Sequence, residues 1–341
     1  MDMLELGFEP CLRTRPFFSE AALEIDERAE TARIGESVRN VLLGLRRRGA
    51  VVGLSGGIDS SVVAALCVRA LGKDKVFGLL MPEQSSSCSG DSLRLGREVA
   101  RQLGIEFIIE DISPALESSG CYRRQEEAIR SIVPEYGPGW KCQLALPSIL
   151  EGSRMNVSRL TVQSPDGETR SVRLNAPAYL QIVAATNYKQ RIRKMTEYYH
   201  ADRLQYAVAG TPNRLEYDQG FFVKQGDGAA DFKPIAHLYK TQVYQLARHL
   251  GIPEEICQRA PATGTFSLEH TEEEFNFALP YDRMDLCLYA HNHSVPAAEA
   301  APVLKLTPVQ VERVYRDITA KRLATRYLHS APQLVSPVSE I

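Results

Sequence analysis

The chain has 341 residues, with 40 basic against 42 acidic side chains and a formal net charge of −2. That length is ample for a sizeable core in one large domain or two modest ones. The balance of charge leaves no global basic field to hold nucleic acid, and no apolar run approaches the ~20 residues needed to span a bilayer. Neither nucleic acid nor a membrane is therefore expected as a partner. The opening residues, MDMLELGFEP, are acidic and lack the basic-then-apolar order of a secretory signal, so a cytoplasmic location is expected. The seven cysteines (Cys11, Cys67, Cys88, Cys121, Cys142, Cys257 and Cys287) are scattered with no CxxC pair. Reduced, mostly buried thiols are expected rather than a disulfide framework or a zinc knuckle.

Residues 1–33 read as an extension that packs on the body or on a partner subunit. The apolar spacing of Ile34, Val38, Val41, Leu42 and Leu45 predicts a helix over 34–48, ending in three arginines that suit its dipole. Ala50–Leu54 has the unbroken apolar character of a central parallel strand. SVVAALCVRALG follows as a helix that stops at Gly72. Then come a strand (Val76–Met81), a serine-rich loop, a helix ending near Gly104, and a strand (Glu106–Ile112). Strand and helix alternate, which predicts an α/β fold with a doubly wound parallel sheet flanked by helices. Residues 117–175 interrupt the alternation as an insert. Within it, SRLTVQSPDGETRSVRL (158–174) alternates about a Pro-Asp-Gly turn and predicts a β-hairpin, read as peripheral because loop insertions cost little. A long helix over 176–199 and a fourth parallel strand in LQYAVAG (204–210) follow, and helices over 238–250, 253–259, 281–290 and 307–324 make the C-terminal part mainly helical.

The stretch VVGLSGGIDSS (51–61) joins the first strand to the next helix. Gly56 and Gly57 permit tight curvature and close approach of a ligand. Ser55, Ser60 and Ser61 offer hydroxyls, and the helix N-terminus behind them forms an anion nest. The loop lacks the lysine of a Walker A sequence. Asp59 would repel a bare phosphate by several kcal/mol (order of magnitude) at short range, unless a divalent cation lies between them. The plainer reading makes Asp59 a helix cap.

This loop resembles the PP-loop of ATP pyrophosphatases, enzymes that cleave ATP to AMP and pyrophosphate, of the adenine nucleotide alpha hydrolase-like fold. GTPNRLEYDQGFFVKQGDGAADFKPIAHLYKTQV (210–243), with NYKQRIRKMTEYYHA upstream and HTEEEF downstream, resembles ammonia-dependent NAD synthetase over roughly residues 35–335. That resemblance implies one such domain over 34–335. It implies that Ser55, Gly56, Gly57, Asp59 and Ser60 grip pyrophosphate, that Asp59 and Glu216 hold Mg²⁺, and that Thr211 and Lys240 contact ATP. Asn187 and Arg191 would contact the dinucleotide, while Lys224, Asp227 and Asp231 would line the place where a carboxylate is activated and ammonia arrives. The catalytic set would be Asp59, Lys224, Asp227 and Lys240. The implied reaction is amidation of deamido-NAD with ATP and ammonia, through an acyl-adenylate, in a homodimer. The length leaves no room for a glutaminase domain, so free ammonia or a separate ammonia donor is expected. Plainer readings stand beside these: Glu216 as a helix cap, Lys240 as a solvated helix residue, Asp227 as a turn former.

Three departures from the family pattern bear on the acid rather than on ATP. RYLHSAP (326–332) lacks the basic pair common in the family, for which Arg322 and Arg326 are candidates. Thr263 stands in for a hydroxyl usually placed directly after Pro261. The insert is long. An amide synthetase of the same type acting on another carboxylic acid is therefore the first alternative. A tRNA-modifying PP-loop enzyme would call for cysteine pairs and a basic surface. A non-enzymatic nucleotide-binding module would tolerate loss of Asp59, Glu216 or Lys240.

Overall fold

A computed structural model describes residues 18–84, 89–145, 159–259, 266–268 and 279–338. Four parallel strands form the central sheet in the order β3-β2-β1-β7: β1 Ala50–Gly53, β2 Val76–Leu80, β3 Glu106–Ile109 and β7 Ala207–Ala209. Ala50 lies opposite Val76 on one side and Ala207 on the other. Side chains alternate across β1, and both sets are buried. Ala50, Val52 and Leu54 enter a core with α1 (Glu27–Gly44), α2 (Ile58–Leu71) and α8 (Lys240–His249). Val51 enters the opposite layer with Phe77, Val208 and Ala201 of α6 (Ala176–Leu204). β1 is thus apolar on both faces, as a central strand of the doubly wound arrangement requires. Val62–Cys67 of α2 is almost wholly buried. Each such valine or leucine contributes roughly 1.5–3 kcal/mol of burial.

Several elements differ from the expectation. α1 begins at Glu27, earlier than residue 34, because Asp26 caps it by accepting from the Ala29 N–H at 2.9 Å. Just ahead of it, Phe18 and Leu23 are buried against the C-terminal helices. β3 stops at Ile109, not Ile112. Asp111 Oδ1 accepts from the Ser113 N–H at 2.8 Å and turns the chain into α4 (Ser113–Ser118) and then α5 (Cys121–Arg130).

The predicted hairpin is present as β5 (Arg159–Gln163) and β6 (Thr169–Arg173), but β4 (Lys141–Ala145) adds a third antiparallel strand. Leu160 and Val162 are fully buried with Cys142 and Leu144 against α5 and the first turns of α6. The insert is a small sheet with its own core rather than a peripheral hairpin. Beyond β7 lie α7 (Arg214–Gln219), α8, α9 (Glu254–Gln258), α10 (Tyr281–Asn292), α11 (Ala297–Leu304) and α12 (Pro308–Thr325). The helical C-terminal part agrees with expectation, although α7 and α11 were not foreseen. Cys67, Cys121, Cys142, Cys257 and Cys287 are buried free thiols; Cys11 and Cys88 lie outside the described residues. Among the described residues no helix is long and apolar enough to cross a membrane.

Candidate active site

The loop from β1 to α2 is shaped by two glycines and its serines. Gly56 sits at φ +76°, and a Cβ there would lie 2.9 Å from Ser92 Cα in α3 (Ser89–Leu103). Both the left-handed backbone and the approach of α3 exclude a side chain. The Ser60 hydroxyl donates to Gly57 O at 3.0 Å and accepts from the Ser55 N–H at 3.2 Å. Ser61 donates to Gly57 O at 2.8 Å, and Ser55 Oγ accepts from the Gly57 N–H at 3.2 Å. Ser60 and Ser61 are buried and spend their hydroxyls holding the loop. No side chain caps α2 at Gly57, which leaves a helix N-terminus fit to meet an anion.

Asp59 stands in the first turn of α2 and is not a cap. Its Oδ2 accepts from Lys240 Nζ at 2.5 Å and its Oδ1 from Asn213 Nδ2 at 3.1 Å. Lys240, the first residue of α8, is fully buried rather than solvated, with its ammonium 5.2 Å from the centre of the Tyr281 ring. Beneath it, buried Asp285 of α10 accepts from the Thr241 N–H at 2.7 Å. Burial pushes the Asp285 carboxyl up to about 7, against the pull of the Thr241 N–H and the Lys240 charge. Asn213 is fully buried and caps α7, accepting from the Leu215 N–H at 2.9 Å. Glu216 Oε2 accepts in return from the Asn213 N–H at 2.9 Å, a capping box. Glu216 is therefore a helix cap, and through Asn213 it is also tied to Asp59. Among the described residues no three His, Cys, Asp or Glu side chains gather as a metal site. Two carboxylates sharing one asparagine do fit an ion that takes its remaining ligands from phosphates.

A second group lies beyond β7. Asp227 Oδ1 accepts from the Val223 N–H at 2.7 Å and closes the turn that the Gly-Asp-Gly sequence suggests. Burial holds this carboxyl above the usual carboxylate range, opposed by the Val223 N–H and by Lys194. Lys194 and Glu197 form a buried pair at 2.5 Å, with Glu197 pressed against Gly53 at the end of β1. Lys224 Nζ donates to Tyr327 O at 2.7 Å and Ser330 O at 3.0 Å, so the C-terminal turn closes over it. Arg191 Nε of α6 donates to Lys224 O at 3.3 Å, and Asn187 lies one turn earlier on the same helix, partly buried. Thr211 is partly buried just past the end of β7.

The structure thus brings Asp59, Glu216 and Lys240 together around Asn213, and Lys224 together with Arg191. Asp231 is exposed; its Oδ2 accepts from the Val208 N–H at 2.7 Å and its Oδ1 from Tyr198 OH at 3.4 Å, fastening β7 to α6. Arg322 makes a bidentate pair with Asp218 at 2.7 and 2.6 Å and also meets Asn292 at 2.5 Å. It ties α7 to α10 and α12. Thr263 and the HTEEEF segment lie outside the described residues. Sequence reasoning missed Asn213, Asp285 and the Lys194–Glu197 pair. Only Asn213 carried a signal, standing three residues before Glu216 as capping boxes do.

The profile of the family described as NAD synthase matches residues 30–133 and 154–325. The chain is 66% identical, over 93% of its length and 99% of the relative's, to the NH(3)-dependent NAD(+) synthetase of Mesorhizobium japonicum. It is similar in fold to the NMN synthetase of Francisella tularensis (TM-score 0.59, 22% identity, 92% of this chain and 99% of that one). It is equally similar to the NH3-dependent NAD synthetase of Campylobacter jejuni solved with a nitrate ion (TM-score 0.59, 22% identity, 92% of this chain and 100% of that one). A family match over most of the chain, a close full-length relative and a site built on the SGGIDSS loop agree: this chain belongs to the NAD synthase family.

Proposed function

We propose that the protein is an ATP-dependent carbon–nitrogen ligase that amidates deamido-NAD with ammonia, giving NAD, AMP and pyrophosphate. The observation that carries this reading is the 66% identity, over nearly the whole of both chains, to a protein named for that activity. The site supplies the chemistry. A carboxylate does not exchange its oxygen for nitrogen unaided, because oxide is a poor leaving group. A substrate carboxylate oxygen attacks the α-phosphorus of ATP, the bond to the β-phosphate oxygen breaks, and pyrophosphate leaves. Gly56, Gly57 and the α2 N-terminus receive the departing pyrophosphate, and Lys240 faces its growing charge. Thr211, at the end of β7, contacts the nucleotide.

Asp59 and Glu216 would hold Mg²⁺, which supplies charge neutralisation for the phosphates when bound. Ammonia then attacks the acyl carbon, the bond to AMP oxygen breaks, and AMP leaves carrying an oxygen of the original carboxylate. Asp227 takes the proton that ammonium must lose, and the burial that raises its affinity for a proton supports that reading. Lys224, held by carbonyls of the C-terminal turn, with Arg191 and Asn187 on α6, lines the dinucleotide's path. The working unit in this proposal is a homodimer. Exposed Leu180, Met195 and Tyr199 lie on one face of α6 and support that reading.

Purified protein with ATP, Mg²⁺, ammonium and deamido-NAD should form NAD with AMP and pyrophosphate in equal amounts. Nicotinate mononucleotide, as a competing acid, should show kcat/KM at least tenfold lower, roughly the loss of one good polar contact. NAD formation no faster than in a protein-free blank would overturn the reading.

A further inference from the structure

Lys233 follows β7, where the short bridge from Phe232 to Ala209 ends. Its stem lies on bare backbone, since a Cβ at Gly210 would come within 2.9 Å of Lys233 Cγ. Gly210 immediately precedes Thr211, at the carboxyl end of the strand where ligands of open α/β sheets collect. The Lys233 ammonium stands 4.8 Å from the centre of the Tyr217 ring and 6.0 Å from that of Phe222. Those two rings stack on one another at 5.8 Å, and His329 meets both edge-on at 4.7 and 5.1 Å. The result is an aromatic box around one half-buried cation. Asp227 faces the same space, yet among the described residues no carboxylate lies within ion-pairing distance of Lys233 and no acceptor takes its protons.

The neighbouring lysines are committed elsewhere. Lys194 is paired with Glu197, and Lys224 donates to two carbonyls. Burial, and then the Lys233 charge, hold His329 below the ordinary histidine range, so it adds no cation at neutral pH. Burial beside Lys194 also holds Lys233 below the usual lysine range. A half-buried ammonium without an acceptor is costly unless a ligand completes it.

We infer that Lys233 is a substrate-binding residue: its ammonium, braced by Tyr217 and Phe222, takes an oxyanion of the carboxylic-acid substrate, not of ATP. The inference rests on the proposed reaction and adds a contact that the family motifs do not supply. The ATP side is excluded by position, since the pyrophosphate loop and Lys240 join Asp59, whereas Lys233 shares its space with Asp227. The oxyanion is either the carboxylate or a phosphate of the dinucleotide bridge.

The test uses the full-length enzyme with Lys233→Met, Lys233→Gln and Lys233→Arg. Steady-state kinetics give KM for deamido-NAD and ATP, and calorimetry gives Kd for deamido-NAD and for NAD. Each neutral variant should raise KM and Kd for deamido-NAD roughly ten- to hundredfold, the loss of one charge-assisted hydrogen bond. KM for ATP and the melting temperature should hold, and Lys233→Arg should recover most of the affinity. Weaker NAD binding as well would assign the diphosphate; unchanged NAD binding would assign the carboxylate. Unchanged deamido-NAD constants in both neutral variants, or a rise confined to ATP, would overturn the inference while the wild type still makes NAD. A wild type that neither binds nor amidates deamido-NAD would overturn the proposed reaction along with it.

Discussion

Replacing Lys240 by methionine tests whether the site's acid and cation act as one unit. The substitution removes a fully buried ammonium and leaves Asp59, whose side chain is 18% exposed, with Asn213 as its remaining partner. Removing one member of a buried pair costs about 3–5 kcal/mol. The residual exposure of Asp59 lets water repay part of this, so the lower end, about 3 kcal/mol, is expected. Asp59→Asn should cost less, about 1–2 kcal/mol, because the amide oxygen still accepts from Lys240 and Asp285 still faces it. The double variant replaces the pair by neutral groups and should fall short of the sum by about 2 kcal/mol. Urea unfolding followed by far-ultraviolet circular dichroism gives all four corners of this cycle. Trp140, the sole tryptophan, reports on the insert instead, where it packs beside Tyr136. In the amidation assay each single variant should lose roughly 10²–10³ in kcat, the scale of losing one preorganised electrostatic contact. Stability costs that add to within about 0.5 kcal/mol would refute the coupling.

Three further outcomes follow from the same geometry. Gly56→Ala should destabilise by more than about 1 kcal/mol and abolish pyrophosphate release, since it must adopt a positive φ and displace the Ser92 backbone; differential scanning calorimetry and a pyrophosphate assay read both effects. Glu216→Gln keeps a capping box and should melt within a degree or two of wild type, the shift of a few tenths of a kcal/mol, yet need roughly tenfold more Mg²⁺ for half-maximal rate; an unchanged Mg²⁺ requirement would reduce Glu216 to a cap. Asp285 has a folded-state carboxyl raised to about 7 from an ordinary 3.8, so the stability it contributes is complete below pH 4 and is lost as pH rises toward 7. Three units at about 1.4 kcal/mol each give on the order of 4 kcal/mol. Asp285→Asn should therefore gain stability relative to wild type between pH 5 and pH 8 in thermal melts, and a constant difference across that range would refute the assignment.

The sequence disclosed what local chemistry dictates. β1, β2 and β7 were legible because a strand buried on both faces must be apolar throughout, and the SGGIDSS loop because its paired glycines stand between an apolar strand and a helix. β3 was read three residues too long because the Asx turn at Asp111 ends it, and Ile112 that follows is buried for another reason: it packs with Leu116 and Ile192. α11 was hidden by Pro302 within it, a residue that ordinarily marks a helix boundary. The three-stranded insert sheet was half legible. Its hairpin carried a turn signal, but β4 pairs with β5 across a long connection and announces itself only by packing.

The site divided in the same way. Residues in contiguous motifs, Asp59, Glu216, Lys240 and Asp227, could be named. What those residues lean on could not: Asp285 reaches the Thr241 N–H beside Lys240 from another helix, Glu197 meets Gly53 from α6, and Lys233 gains its meaning from a stacked pair of rings beside it. Such contacts are set by tertiary packing, and no spacing in the chain records them. Ser60 and Asp231 show the converse. Each sits in a motif, and each also holds the scaffold through side-chain hydrogen bonds that the motif does not announce.

In the proposed reaction a carboxylate is activated on the α-phosphate of ATP before ammonia arrives. Deamido-NAD labelled with ¹⁸O in its carboxyl group tests this directly, with mass analysis of the AMP formed in one turnover with ATP and ammonium. AMP should carry one ¹⁸O in its phosphate and pyrophosphate none. Unlabelled AMP alongside NAD, or label in pyrophosphate or inorganic phosphate, would contradict it.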